Sequence, residues 1–166
     1  MTTLHHTGFA VQDLDRSVRF YTQGLGLEQY NRLLSDSPGV RSVVGYEDAV
    51  LNIAMLAGVD GHTLELIQYK TPVGEPSDPG SQRKRARFGA AHLCFVVRDI
   101  DATYAALLEL GGQKLNPPVP VFDGLSACYL QDPDGNWIEL IEDEAHKRQP
   151  FTIRQNLGIP VAREEK

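Results

Sequence analysis

His6-Thr7-Gly8-Phe9-Ala10-Val11-Gln12-Asp13-Leu14-Asp15 and His92-Leu93-Cys94-Phe95-Val96-Val97-Arg98-Asp99-Ile100-Asp101 are two copies of one pattern. The offset is 86 residues throughout, and His, Phe, Val, Asp and Asp coincide. The same offset sets Gly26 on Gly112. A second pair of segments repeats further on. Asp60-Gly61-His62-Thr63-Leu64-Glu65-Leu66-Ile67 aligns with Asp134-Gly135-Asn136-Trp137-Ile138-Glu139-Leu140-Ile141 at an offset of 74, with Asp, Gly, Glu, Leu and Ile identical. Two matching segments in the same order argue for a duplicated module, and the shorter second offset puts longer interior loops in the first copy.

Each copy follows the same grammar. An alternating strand begins at His6 or His92. Asp13 or Asp99 follows as an N-cap for an amphipathic helix, with Leu14, Val18 and Tyr21 on the apolar face of one and Ile100, Tyr104 and Leu107 on that of the other. Gly24 and Gly26, or Gly111 and Gly112, supply the left-handed positions that end a helix. Strand-like runs complete each copy. In the second they fall at 114–117, 126–131 and 137–142, with Asp134-Gly135 as a hairpin turn. The first copy has runs at 27–34, 41–47, 50–57 and 64–69, one too many, so the 27–47 region is read as one strand plus an irregular loop.

The fold class that follows is α+β, two tandem βαβββ modules. The expected boundaries are 4–70 for the first module, 71–88 for a linker and 89–142 for the second, together a single domain over 1–142 with a C-terminal extension over 143–166. The linker is rich in proline and glycine and turns basic at Arg83, Lys84, Arg85 and Arg87. That run is read as a solvated linker, the alternative being a docking site for an anionic substrate such as a CoA or glutathione thioester. The extension is mostly polar and reads as an arm packed on the surface or on a partner subunit, with a frayed end.

Composition sets the outer limits. At 166 residues, 42% hydrophobic and 23% charged, the chain has enough apolar material for a core. It lacks an apolar run of about 20 residues and a charged-then-apolar leader pattern, so no membrane role and a cytoplasmic location are expected. A formal charge of −6 argues against nucleic acid, which calls for a basic footprint. Cys94 and Cys128 sit in apolar stretches at a spacing that suits neither a metal knuckle nor a redox pair, and read as buried thiols.

Strand alternation separates two faces. His6, Gly8 and Ala10 share one face of the first strand, and His92, Cys94 and Val96 share the corresponding face of the second copy. These faces carry small residues, as a cavity lining should, whereas Phe9, Val11, Phe95 and Val97 suit packing under the helices. On the closing strands Leu64 and Leu66, or Ile138 and Leu140, are the helix-side pair, so Glu65 and Glu139 face the same way as the histidines. His6, Glu65, His92 and Glu139 together make a candidate site for one divalent metal, with Zn, Ni, Co, Mn, Fe or Mg all compatible with imidazole and carboxylate donors. The competing reading is a pair of glutamates facing arginines or solvent. His5 falls on the opposite face and lacks the match to His92; His62 beside a turn and His146 in the tail read as bystanders. Thr63, Ile67, Tyr69, Trp137 and Ile141 share the cavity-facing parity and are substrate-lining candidates, with ordinary packing as the alternative.

These motifs, with Phe20-Tyr21, Leu25-Gly26-Leu27 and Asp132-Pro133-Asp134-Gly135-Asn136, resemble the vicinal oxygen chelate superfamily, the glyoxalase I, bleomycin resistance protein and extradiol dioxygenase group, over residues 4–142. The resemblance implies paired modules forming a cupped mixed sheet around one metal ion, with His6, Glu65, His92 and Glu139 at the ligand positions. Glu65 as a fourth ligand resembles the glyoxalase I pattern more than the dioxygenase or epimerase ones. It implies a metal-dependent lyase or isomerase that moves a proton next to a carbonyl of a small oxygen-chelating substrate, with Glu139 or Glu65 as the proton carrier. Alternatives are an extradiol-type ring-cleaving dioxygenase and a non-catalytic small-molecule-binding protein of the resistance type. A homodimer is expected by the same analogy.

Overall fold

A computed structural model describes residues 2–75, 85, 86 and 88–144. Most of the expected linker and nearly all of the expected extension, including Arg83, Lys84, Arg87 and His146, lie outside the described residues. The first module runs β1 (Thr7–Ala10), α1 (Leu14–Leu25), β2 (Glu28–Ser35), α2 (Pro38–Val44), β3 (Val50–Ala57) and β4 (Thr63–Thr71). The second runs β5 (His92–Val96), α3 (Ile100–Glu109), β6 (Gln113–Lys114), β7 (Val119–Phe122), β8 (Leu125–Gln131) and β9 (Trp137–Asp143). The α+β architecture of two tandem modules is therefore what the chain adopts, and each module closes its own mixed sheet. The strand orders are β1-β4-β3-β2 and β5-β9-β8-β6, with β7 also paired to β8. In both, the first strand lies parallel to the last and the other pairs are antiparallel.

The helix starts form as the sequence dictates. Asp13 and Asp99 are extended, and their carboxylates accept from the backbone N–H of Arg16 at 3.0 Å and of Ala102 at 2.9 Å. The Arg16 N–H bond is the main reason the Asp13 carboxyl is held below its usual range, with desolvation opposing it and the Arg16 charge adding to it. Stability from a depressed carboxyl is present above its unfolded-state value and is lost as pH falls through the depressed one. Asp13→Ala is thus expected to cost about 1 kcal/mol near neutral pH. In urea titrations the gap to the parent protein should close under strongly acidic conditions; an unchanged gap there would mean the cap acts without its charge.

Three sequence expectations change. The 41–47 stretch is not irregular: α2 occupies most of it, because Ser37 caps the N-terminus, Pro38 fits the first turn and Gly45, at φ 78°, closes the end in the left-handed region. Its apolar residues, Val40 and Val44, pack against the small buried cluster of Ala49, Leu51, Ile53 and Met55, as do Ile67 and Tyr69 of β4. In the second module the 114–117 strand shrinks to Gln113–Lys114, and a separate strand, β7, forms at Val119–Phe122. Gly24 is also reassigned. It lies within α1, where an added Cβ would come 2.4 Å from Leu107 Cδ2, so its role is the close approach of α1 to α3. Gly26, at φ 71°, is the terminator.

The two modules share one core. Leu14, Phe20 and Tyr21 of α1, Ile100, Tyr104 and Leu107 of α3, Leu64 and Leu66 of β4, and Ile138 and Leu140 of β9 belong to a single buried cluster. A polar joint adds to it at the β8–β9 turn. Asp132 is fully buried and accepts from the Tyr21 hydroxyl at 2.9 Å, while Asp134 receives the Arg16 guanidinium at 2.6 Å and the Ser17 hydroxyl at 3.0 Å. Among the described residues no helix is long and apolar enough to cross a membrane.

Candidate metal centre

In the first module β1 and β4 run parallel with Gly8 opposite Glu65. His6 precedes β1 by one residue, and its Nε2 lies 3.2 Å from Glu65 Oε2. Leu64 and Leu66, the neighbours of Glu65, are buried in the shared core, so alternation turns Glu65 to the other face. Gly8 leaves space for the carboxylate, since a Cβ there would sit 3.3 Å from Glu65 Oε2. The side chains of His6 and Glu65 retain 36% and 20% exposure, enough for an ion or a ligand to reach them.

The second module repeats this with different neighbours. β5 and β9 run parallel with Cys94 opposite Glu139, and His92 Nε2 lies 3.0 Å from Glu139 Oε2. On the other side Tyr129 of β8 is the register partner of Glu139. Cys94 is exposed as a residue, yet desolvation of its thiol, then the Glu139 charge, pushes its pKa up to about 12. Desolvation likewise raises the Tyr129 hydroxyl, with the Glu139 hydrogen bond and charge adding and Arg85 opposing. Both groups stay protonated at neutral pH and present donors to the carboxylate. The Tyr129 ring meets His92 edge-on at 5.3 Å and Trp137 at 6.5 Å, and the Arg85 guanidinium lies 4.0 Å above the Tyr129 ring.

The donor set fits a divalent ion. Metal–nitrogen and metal–oxygen bonds of about 2.1 Å put neighbouring donors of an octahedral shell about 3.0 Å apart, and those of a tetrahedral shell about 3.4 Å apart. The two His–Glu separations of 3.2 and 3.0 Å fall in that interval. The structure brings the four candidate ligands together as two pairs, however, and not as one cluster. Among the described residues no three His, Cys, Asp or Glu side chains converge on a point that could hold a metal ion. Both β1 and β5, the strands beside the pairs, are the end strands of their sheets.

The other candidates fall in varied surroundings. His5 also precedes β1, where strand alternation does not apply, and its Nδ1 lies 2.7 Å from His6 Nδ1. One imidazole donates there and the other accepts, which leaves His6 Nε2 directed at Glu65. His62 is exposed, 3.3 Å from the Thr7 hydroxyl. Thr63 donates to the His5 carbonyl at 2.5 Å. Ile67 and Tyr69 pack in the small cluster under α2, whereas Trp137 stands on the Tyr129 ring beside the second pair. Ile141 is half-buried and shares the Glu139 face.

Sequence reading passed over Tyr129 and set Arg85 aside as linker. The signal for Tyr129 was present: both hairpins centre on an aspartate, Asp60 and Asp134, and the offset of 74 maps Met55 onto Tyr129, each opposite its glutamate. No periodicity could signal Arg85, which lies outside every strand and helix.

Three comparisons bear on this arrangement. The family model described as the Glyoxalase/Bleomycin resistance protein/Dioxygenase superfamily matches residues 3–140. The chain is 32% identical over 146 residues to a 2-epi-5-epi-valiolone epimerase from Actinomyces sp., covering 83% of this chain and 78% of that protein. It is also 32% identical over 152 residues to a lactoylglutathione lyase from Haemophilus influenzae, covering 86% and 93%. The crystal structure of a glyoxalase family protein from Bacillus cereus superposes with a TM-score of 0.77 at 24% identity, over 86% of this chain and 95% of that one, a likeness of fold.

Proposed function

Because the chain belongs to the glyoxalase/bleomycin resistance protein/dioxygenase superfamily, we propose that it is a divalent-metal-dependent lyase or isomerase whose metal is held by His6, Glu65, His92 and Glu139. The observation that carries this reading is the recurrence of one His–Glu pair, at 3.2 and 3.0 Å, at the same point of both modules. The names of two relatives support the reaction class. An epimerase inverts a carbon centre and a lactoylglutathione lyase rearranges a carbonyl adduct; both are served by moving a proton on a carbon next to a carbonyl.

When bound, the metal supplies Lewis acidity toward two neighbouring substrate oxygens. The chain's own residues do the rest. Glu139, or Glu65, takes the proton from the substrate carbon and returns it at its new position. The two carboxylates differ in company: Glu139 stands between Tyr129 and Cys94, both proton donors, whereas Glu65 stands between Met55 and Gly8, which have none. Tyr129 and Trp137 form an aromatic wall that keeps water from one side of the reacting centre. Since one chain holds the ligands as two separate pairs, the complete centre needs the first-module pair of one copy and the second-module pair of another. A homodimer joined near the β1 and β5 edges supplies that geometry.

The test begins with metal content. Protein purified without chelator is expected to carry divalent metal, and Glu65→Gln and Glu139→Gln should each lose it. Metal-loaded parent protein should then exchange solvent deuterium into a hemithioacetal of a 2-oxo-aldehyde, an acyl thioester or a cyclic hydroxyketone, with either substitution lowering the rate about 10²–10⁴-fold. Retention of metal by Glu65→Gln would remove that residue from the ligand set, and absence of exchange in all three substrate classes would overturn the proton-transfer assignment.

A further inference from the structure

Resting on the metal-centre reading above, we propose that Arg85 is a specificity-determining residue that binds an anionic oxygen group of the substrate, so that the molecule turned over carries a negative charge beside its metal-chelating oxygens. The guanidinium carbon sits 4.0 Å from the centroid of the Tyr129 ring and 5.6 Å from that of Trp137. A guanidinium stacked on an aromatic face is held by its plane, and its N–H donors point outward along the edges. The rings that hold it are the wall of the second half-site: Tyr129 touches the His92 ring and stands opposite Glu139 in the sheet. Arg85 is therefore one side-chain layer from the proposed metal.

Three further observations point to a ligand. Among the described residues Arg85 has no carboxylate partner, although it lies on an acidic chain of formal charge −6. Two ionised glutamates would balance the charge of a bound divalent ion, so the Arg85 charge is not consumed by them and is left for an anionic group of the substrate. The platform is also confined to one module. By the offset of 74, Met55 and Thr63 occupy in the first module the places of Tyr129 and Trp137, so neither of those two positions carries an aromatic ring beside Glu65. Ligation repeats in both halves; the cation platform does not. That separation suits recognition of one end of an asymmetric substrate. The chemistry fits a carboxylate, which a guanidinium takes in two parallel hydrogen bonds, or a phosphate.

The experiment uses metal-loaded full-length protein and three catechol probes, whose adjacent oxygens chelate the metal: dihydrocaffeate, its primary amide, and the matching catechol phosphonate. Trp137 is the only tryptophan in the chain, so its fluorescence reports binding directly. The parent protein is expected to bind the carboxylate or the phosphonate roughly tenfold tighter than the amide. Arg85→Ala should erase that preference with amide affinity retained, which also serves as the control for folding. Arg85→Lys should keep the charge-dependent part only. The anion whose affinity falls more in Arg85→Ala identifies the group recognised. Equal affinity of parent protein for charged and neutral probes, or a preference that survives Arg85→Ala, would overturn the assignment of Arg85 alone. Binding of no probe by protein that also fails to retain metal would overturn the metal-centre reading and this inference with it.

Discussion

Asp132→Ala is expected to lower the folding free energy by about 3–5 kcal/mol, a large share of a typical domain's total. The carboxylate is fully buried and works through both oxygens. Oδ1 accepts from the backbone N–H of Asp134 at 2.9 Å and of Asn136 at 2.8 Å, which fixes the β8–β9 turn. Oδ2 accepts from the Tyr21 hydroxyl at 2.9 Å and the Asn136 amide at 2.8 Å, which ties that turn to α1 of the other module. Alanine leaves the fully buried Tyr21 hydroxyl and the turn N–H groups without their acceptor, and each buried orphan costs about 1–3 kcal/mol. Asp132→Asn should cost less than half as much. Its carbonyl still serves the two backbone donors, while the Tyr21 hydroxyl can turn to accept and the Asn136 amide can flip. The pH dependence distinguishes the two effects. Burial is the main reason the Asp132 pKa is raised, so the stability tied to its proton is full below the unfolded-state value and drains as pH rises through the raised one. Asp132→Asn should remove that component. Urea unfolding from pH 3 to 8 measures all of this, and an alanine variant within 1 kcal/mol of the parent at neutral pH would mean that the joint contributes little.

What the sequence made legible was whatever repeats or alternates. Duplication and a period of two set His6 on His92 and Glu65 on Glu139, and the structure pairs Gly8 with Glu65 and Cys94 with Glu139, each glutamate meeting its own module's histidine. Alternation says which face a residue takes but nothing about how two sheets stand to one another. Hence the four ligands could be assigned to equivalent positions while their distribution over two separate pairs stayed hidden. The helix α2 was missed for a local reason: Arg41 to Val44 is short and partly β-branched, and only its caps, Ser37-Pro38 and Gly45, mark it as helical. Asp132 reads in sequence as part of a turn. Its first-module equivalent is Gly58, so the repeat gave no hint that this one position bridges the modules. Arg85 stands over the site through a loop, and loop geometry leaves no periodic trace.

Mixing two inactive variants should restore activity, because each lesion can be confined to a different centre. His6→Ala removes a ligand from the first-module pair and His92→Ala one from the second-module pair, and each variant alone should be inactive in every centre. If one centre takes the first-module pair of one copy and the second-module pair of its partner, a mixed dimer has one centre with both lesions and one with none. Equal amounts of the two variants, unfolded and refolded together, give mixed dimers as about half of the population by random pairing, and half of their centres are intact. Activity and bound metal should both return to about a quarter of the parent level. Centres built within a single chain would each retain a lesion in every dimer, and recovery would be nil. The same mixture with both substitutions placed in one chain and none in the other supplies the reference. There a mixed dimer of the shared type has a single lesion in each centre and is inactive, so only parent dimers contribute, again about a quarter, whereas centres within one chain would give about half. The two mixtures therefore yield equal activities for a shared centre, and nil against half for a centre within one chain. The separation of the His6–Glu65 and His92–Glu139 pairs within one copy favours the first outcome.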